Sequence, residues 1–539
     1  MPDLSATLPD AAAWWTPADR AVDPNGPGNH PFQAPSPSWF DEPAFNVFSR
    51  IVARQPSAPA LCAGVRCLTY AETHRRVVAL AGQIAEVTLP GEGVALLLLD
   101  LVDLVIAQMA CFAAGRVCIL VEATLPAGRQ GAILAQAAPR LLIMSEDLPA
   151  PRMPDTLAIW RGVEGAEDRA AIPLPIPDLN APAVVIYTSG STGEPKGIVR
   201  THRQVTARNL RFVEELRIGN RDRLLTLFSL TNSSGFAGGM AALLGGAELH
   251  LSSGSNKGLR GVLDVLQDNS ITILWAVPSM LRSLLALPGA PIAVASVRAT
   301  FSVGEPILRS DLDTWRRVVA PGCAMMGAYG LTEAGGVATW FLPQTPAMAE
   351  ARVPIGYPCG LYDFAIVAES GQAVEAGEVG ELWIRSAAIT LGQWLDGSCQ
   401  PMTAVADPTH PGRRILRTRD LVRLRPDGSL AYIGRADDMV KIRGNRVEPV
   451  EIEDALRRLP EIADVAVLAH QTATETVLHA FVVVAMGAIT DRATLIRHLR
   501  TLLPNYMIPA RLEFLPVIPR LPIGKVDTQR LRGKTQSQE

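Results

Sequence analysis

From Glu42 onward the chain repeats one pattern, a short apolar run followed by an amphipathic stretch of helical period. The apolar runs fall at residues 94–99, 141–144, 183–187, 224–228, 271–275 and 299–303, with helical spacing between them, as at 261–269. Strands alternating with helices in this way predict layered α/β architecture with largely parallel sheets. At 539 residues the chain exceeds the size at which one hydrophobic core stops growing, so two or more domains are expected. After Asp363 the pattern changes to strand-turn units at 364–368, 380–385, 421–424 and 430–433, with the turn residues Pro426, Asp427 and Gly428 before the last of them. A small β-rich subdomain is expected there. Beyond Asp437, a helix at 449–458, strands at 463–469 and 479–484 and a helix at 491–503 predict a compact α+β cap behind a short polar hinge. Residues 1–42 are rich in Pro, Gly, Asn and Asp, with Trp14, Trp15, Trp39 and Phe40 as anchors, and read as an irregular arm. The expected division is an arm over 1–42, a large layered α/β domain over 43–435 and a small mobile α+β cap over 436–539.

Composition narrows the function classes. A net charge of −3 and a pI near 6.3 leave no broad basic field for nucleic acid and no basic amphipathic segment for a membrane surface, so small-molecule chemistry is expected. The most apolar run, 94–114, is interrupted by Asp100, Asp103 and Gln108 and divides into a strand and a helix better than it spans a bilayer. The N-terminus lacks the basic and apolar regions of a secretory signal. The seven cysteines, scattered and odd in number, are expected as buried thiols of a cytoplasmic protein.

Chemistry concentrates in the run from Tyr187 to Gly197. Gly190, Gly193 and Gly197 let a backbone turn tightly and approach a ligand, Thr188, Ser189, Ser191 and Thr192 offer hydroxyl donors, and Lys196 adds a positive charge. All suit a polyphosphate. The spacing is not that of a Walker A loop, because Pro195 stands five positions after Gly190 where that motif requires glycine. The alternative for this segment alone is a polar linker.

Seven further motifs follow in order: Ala328 to Glu333, Gly380 to Leu382, Arg419-Asp420, Gly434 to Asp437, Val440 to Gly444, Leu503 to Pro509 and Gly524-Lys525. With the loop, this set resembles the adenylate-forming superfamily, which contains acyl-CoA synthetases, luciferases and the adenylation domains of non-ribosomal peptide synthetases. The resemblance covers about residues 45–532, and its C-terminal third is most similar to a stand-alone peptide-synthetase adenylation domain. It implies attack of a carboxylate on the α-phosphate of ATP, loss of pyrophosphate, and capture of the acyl adenylate by a thiol. Such chemistry needs positioning and charge stabilisation more than a protein nucleophile.

The resemblance also implies roles. The glycine-rich loop, Thr188 among its catalytic residues, would hold the β- and γ-phosphates, and Glu333 after Thr332 would ligate Mg²⁺. Gly304, Glu305, Ala328, Tyr329 and Gly330 would line the adenine and acyl pocket, with Tyr329 as a stacking face. Asp420 would bind the ribose hydroxyls and Arg435 would sit beside ribose and phosphate. The family's Thr-Gly-Asp is Thr418-Arg419-Asp420 here, so a glycine is lost at the turn. Lys525 would bridge the attacking carboxylate and the α-phosphate. The cap would rotate about Asp437, exchanging Lys525 for the loop from Lys441 to Gly444 between the two half-reactions.

In peptide-synthetase domains an aspartate pairs with the substrate's α-ammonium; Asn232-Ser233 stand at that place here, so an ordinary α-amino acid is disfavoured. Shifted by one residue, the stretch from Asn232 to Gly235 matches instead the His-x-x-Gly of acyl-CoA synthetases. Ser234, Ala237, Trp275, Phe301, Val303, Ala328, Gly336 and Val337 would complete a mostly apolar pocket for a small or flat neutral acid, such as an aryl, short acyl or hydroxy acid. The thiol donor is expected to be a separate acyl or peptidyl carrier protein in natural-product biosynthesis, with free CoA as the alternative. A non-catalytic nucleotide-binding scaffold is the alternative from another class.

Overall fold

The structure, a computed structural model, describes residues 8–9, 13–16, 30–149, 157–163, 174–189, 195–252, 258–342, 352–402, 404–436, 440–442, 445–447, 449–471, 476–521 and 526–536. Each of the six apolar runs forms a strand: Gly93–Leu97, Leu141–Met144, Pro182–Ser189, Arg223–Thr226, Ile273–Ala276 and Ala299–Val303. Among the described residues they belong to two large sheets. In the first, of eight strands, Gly93–Leu97 pairs in parallel with Val117–Leu120 and Leu141–Met144, and Val117–Leu120 with Pro182–Ser189. In the second, of nine, Arg223–Thr226, Ile273–Ala276, Ala299–Val303 and Ala324–Leu331 run parallel, and Gly335–Leu342 turns back against the last.

Between the sheets lie the helices Tyr70–Val87, Leu101–Ala113, His202–Leu216 and Ser233–Gly245, and one apolar cluster joins them to strands of both sheets. Local chemistry fixes where two of these helices begin. Thr201 and Gln204 form a reciprocal cap at His202–Leu216, and Asn232 accepts from Gly235 N at 2.8 Å to open Ser233–Gly245. Gly246, at φ 83°, ends the latter in the left-handed conformation that glycine adopts without strain.

Asp363–Val367, Val379–Ser386, Arg414–Leu424 and Leu430–Arg435 build a five-stranded antiparallel sheet together with Val405–Ala406, around Tyr362, Phe364 and Leu382. Trp15 pairs its backbone with Phe364 and stacks on that ring at 5.2 Å, which ties the N-terminal segment to this sheet. The small C-terminal domain packs Pro449–Arg457 and Arg492–Leu502 on Ile462–Gln471, Thr476–Val484 and Arg511–Phe514. A terminal helix, Thr528–Gln536, has no counterpart in the sequence reading; Leu531 alone of its residues enters an apolar core, beside Phe481.

The cysteine expectation needs correction. Cys62 and Cys67 face each other across the hairpin Pro59–Ala63 and Arg66–Thr69 and are disulfide-bonded, with Cys67 exposed. Cys62 lies against Glu248 and His250. Cys111, Cys118, Cys323 and Cys359 are buried thiols and Cys399 is half-buried. A five-residue separation gives no sign of a hairpin until the turn through Gly64, at φ 59°, is known. No helix of the described residues is long and apolar enough to cross a membrane.

Candidate active site

The parallel strands of the second sheet end where the motifs cluster, the usual position of a ligand crevice in α/β folds. Gly304, at φ 94°, turns the chain immediately after Ala299–Val303, and Ala328, Tyr329 and Gly330 lie half-buried in Ala324–Leu331. Asp420, 3% exposed, accepts from the Tyr329 hydroxyl and from Arg435 Nη1 at 3.2 Å, and its own N–H bonds Thr418 Oγ1 at 3.1 Å. A buried carboxylate held by a phenol and a guanidinium is fixed in place, and it can also accept from ribose hydroxyls. Burial, then the neighbouring Asp420 charge, pushes the Tyr329 phenol well above its usual range, so it remains a donor. The Tyr329 ring is thereby anchored by its hydroxyl, a link that no local sequence pattern announces.

Arg419 occupies the turn where the family carries glycine, and its φ is +62°. The left-handed backbone survives the substitution. The Glu381 carboxylate holds that turn by accepting from Arg419 N at 3.2 Å while pairing with Arg417 at 2.7 Å.

Glu333 lies half-buried between Ala324–Leu331 and Gly335–Leu342. Its carbonyl accepts from Thr390 N at 2.7 Å and Arg208 Nη2 at 3.1 Å, which fixes the backbone, whereas its carboxylate makes no hydrogen bond or ion pair among the described residues. A hard oxygen ligand with unspent lone pairs fits Mg²⁺, which would neutralise phosphate charge there. Thr188 lies opposite Lys196 in the hairpin Pro182–Ser189 and Pro195–Thr201, and its hydroxyl reaches Lys196 O at 3.5 Å. Ser189 closes the first of these strands. Gly190, Ser191, Thr192, Gly193, Asp437, Gly444 and Lys525 lie outside the described residues, and Lys441 is placed by its backbone alone, in Val440–Ile442.

Several expected pocket residues serve other purposes. Gly197 lies within a strand, and a Cβ there would come within 2.8 Å of Val185 and 2.9 Å of the Tyr187 ring, so packing and not phosphate approach requires glycine. The Glu305 carboxylate accepts from Ser279 N and Oγ, both at 3.0 Å, and from Arg520 Nη1 at 2.9 Å. Asn232 spends its side-chain oxygen on the helix cap. Val337 is fully buried against Tyr362 and Phe364; neighbours on a strand face opposite ways, so it cannot line one cavity together with Gly336. Gly336 faces the helix His202–Leu216, where a Cβ would come within 2.6 Å of Arg211 Nη2 and 3.1 Å of Phe212.

Trp275 and Phe301 are 0% and 2% exposed and lie 3.9 Å apart, and Phe212 meets both edge-on at 5.4 and 5.2 Å. These three rings, with Val303, form the apolar base of the site; Phe212 is an addition to the expected set. Ser234, Ala237 and Ala328 are half-buried around them. Ser233 accepts from Arg200 Nη2, which also bonds Thr332 O at 3.2 Å. The Arg200 guanidinium thus lies against Ser233, the residue that the sequence reading set at the place of the ammonium-binding aspartate. Burial first, and then the Arg208 charge, push the Arg200 guanidinium well below its ordinary range, against the opposing charges of Tyr362 and Glu333.

The fold joins a large layered α/β domain, with its motif residues at the ends of parallel strands, to a small α+β domain. The chain belongs to the AMP-binding enzyme family, whose pattern it matches over residues 48–394, and the family's C-terminal domain matches over 451–525. It is 32% identical over 504 residues to phenyloxazoline synthase MbtB of Mycobacterium sp. (strain MCS), covering 92% of this chain but 42% of that protein. It is 30% identical over 497 residues to novobiocin biosynthesis protein H of Streptomyces niveus, covering 89% of this chain and 81% of the relative. Among solved structures, NpsA of Klebsiella oxytoca in complex with 3-hydroxyanthranilyl-AMSN superposes with a TM-score of 0.80 at 23% identity, over 92% of this chain and 99% of that one.

Proposed function

We propose that this enzyme activates a small carboxylic acid lacking an α-ammonium, using ATP and Mg²⁺, and passes the acyl group to the phosphopantetheine thiol of a separate carrier protein. In the first half-reaction a carboxylate oxygen of the acid bonds the α-phosphorus and pyrophosphate leaves. In the second, a thiol gives up its proton, its sulfur bonds the acyl carbon, and AMP leaves. Asp420 and Tyr329 position the ribose, Arg435 stands beside them, Glu333 holds the cation, and the loop with Thr188 and Lys196 receives the phosphates. Lys525 supplies positive charge as negative charge builds at the α-phosphate, and Lys441 belongs to the surface presented to the thiol.

The substrate reading is carried by the Arg200 guanidinium bonded to Ser233. An α-ammonium placed there would meet a like charge in a buried site, where repulsion is weakly screened. The carrier-protein acceptor, in preference to CoA, is supported by the peptide-synthetase character of residues 440–444 and 506–509. The test is an ATP–pyrophosphate exchange screen over amino, aryl, hydroxy and short fatty acids. Exchange is expected with acids that lack an ammonium, and strong exchange with ordinary α-amino acids would overturn the reading of Ser233.

A further inference from the structure

Three arginines converge beside the apolar base. Arg200, in Pro195–Thr201, and Arg208 and Arg211, one helical turn apart in His202–Leu216, are 3%, 5% and 7% exposed. Arg200 reaches Ser233 and Thr332 O, Arg208 reaches Glu333 O and Ala388 O, and Arg211 presses on Gly336 and stacks over Phe212. All three therefore border residues of the acyl site.

Protein groups balance their charges unevenly: Arg211 has Glu215 and Cys359 beside it, whereas Arg200 has the least. Arg200 Nε, Arg208 Nη1 and both terminal nitrogens of Arg211 are buried without a hydrogen-bond partner among the described residues. Glu215 lies 3.6 Å from Arg211 Nη1, and Glu333, whose carbonyl takes Arg208, acts on Arg200 and Arg208 through its charge alone. Buried guanidinium N–H groups without acceptors are costly, and arginine does not relieve the cost by losing its proton. An acceptor brought by the ligand would satisfy them. Of the three, Arg200 is bonded directly to the residue at the position of an α-substituent, and the ring trio behind it limits the ligand to a short one.

We propose that Arg200 selects a small acid carrying a second oxygen function, a hydroxyl, keto oxygen or carboxylate, on the carbon next to its reacting carboxyl or one further along, and takes that oxygen as acceptor beside Ser233. The proposal rests on the reading that the substrate lacks an α-ammonium and goes beyond it by naming what stands in its place. Ammonium, having no acceptor, is rejected by the same group that binds the oxygen.

The experiment is pyrophosphate exchange by the full chain with two matched series. One comprises propanoate, 2-hydroxypropanoate, 2-oxopropanoate, propanedioate and 2-aminopropanoate, and the other benzoate, 2-hydroxybenzoate and 2-aminobenzoate. Within at least one series, an oxygen-bearing member is expected to exceed both the parent acid and the amine by about tenfold or more in kcat/KM, since a site built to bond an oxygen discriminates strongly against its absence. The hydroxyl, keto and carboxylate arms show whether the acceptor is neutral or anionic. Arg200→Met should erase the preference mainly through KM, and Arg200→Lys should restore part of it. Ser233→Asp sets a carboxylate against the guanidinium without removing it, and should shift relative rates toward the amine. Exchange without preference for the oxygen function, or equal losses on every acid in Arg200→Met with unchanged ratios in Ser233→Asp, overturns the proposal. Strong exchange with ordinary α-amino acids overturns the underlying substrate reading instead.

Discussion

Arg419 shows how a single position can keep a backbone that its side chain disfavours. A left-handed conformation at a non-glycine residue costs about 1–2 kcal/mol because Cβ crowds the following carbonyl. Here the cost is imposed by the ladder: Arg419 N bonds Glu381, Ala436 N bonds Arg419 O, and the next residue is the buried Asp420. Arg419→Gly should relieve the crowding and, after allowing for glycine's freer unfolded chain, stabilise the protein by about 0.5–1 kcal/mol in a urea titration. Arg419→Ala should give no such gain, and equal effects of the two variants would show that φ is not the issue. Residues such as Asp420, Arg435 and Glu333 were legible in the sequence because motif order fixes them one by one. Arg200 was not, since nothing in its neighbours distinguishes a buried arginine from the many exposed ones, and only the contact with Ser233 reveals it.

At the scale of elements, apolar strands were read nearly to the residue, as at Leu141–Met144 and Ala299–Val303, because sandwiched strands must be apolar throughout. The helix His202–Leu216 defeats the same logic. Its residues His202, Gln204, Arg208, Asn209 and Arg211 are all buried, so a polar face that periodicity assigns to solvent lies inside, bonded to carbonyls such as Ala387, Ala388 and Ile389. The cost has a titratable signature. His202 is 1% exposed, packs edge-on to Phe112 at 6.1 Å and begins the helix, where the backbone dipole opposes positive charge. Burial holds its pKa at about 4, below its ordinary 6.5. The unfolded chain therefore binds the proton first, so the stability His202 contributes is complete above about pH 6.5 and is lost as pH falls toward 4, with a limiting slope of about 1.4 kcal/mol per pH unit. His479, also lowered to about 4, adds a second such contribution from the small domain. Urea midpoints of His202→Phe measured from pH 7.5 to 4.5 should show a shallower decline than wild type by one histidine's share. An unchanged slope would mean that His202 is not buried in its neutral form.

Over the whole molecule, ion pairs between residues far apart in sequence help join the two domains among the described residues. Arg520 of the small domain reaches Glu305 at 2.9 Å and Asp464 of its own domain at 2.8 Å, and Arg352 of the large domain reaches Asp454 at 2.9 Å. No local pattern marks these pairs, and nothing in the sequence shows that the Glu305 carboxylate is shared between Ser279 and Arg520. The position of Arg520 bears on the reaction. It forms a bridge with Val526, and Glu305 follows Gly304 at the end of a site strand, so the pair ties Arg520 and, through it, Val526 to the end of that strand. If the small domain turns between half-reactions, this pair forms in one arrangement and breaks in the other, and a contact present in one state shifts the equilibrium by its own free energy. Arg520 is 26% and Glu305 10% exposed, so the pair is partly shielded from solvent. Arg520→Ala is therefore expected to lower pyrophosphate exchange by about tenfold, the scale of a 1–2 kcal/mol bias. Transfer from supplied acyl adenylate to a thiol should be unaffected or faster, and raised salt should mimic the variant in wild type by screening the pair. Equal losses in both half-reactions would instead make Arg520 a stabilising contact of one fixed arrangement, with no part in the alternation.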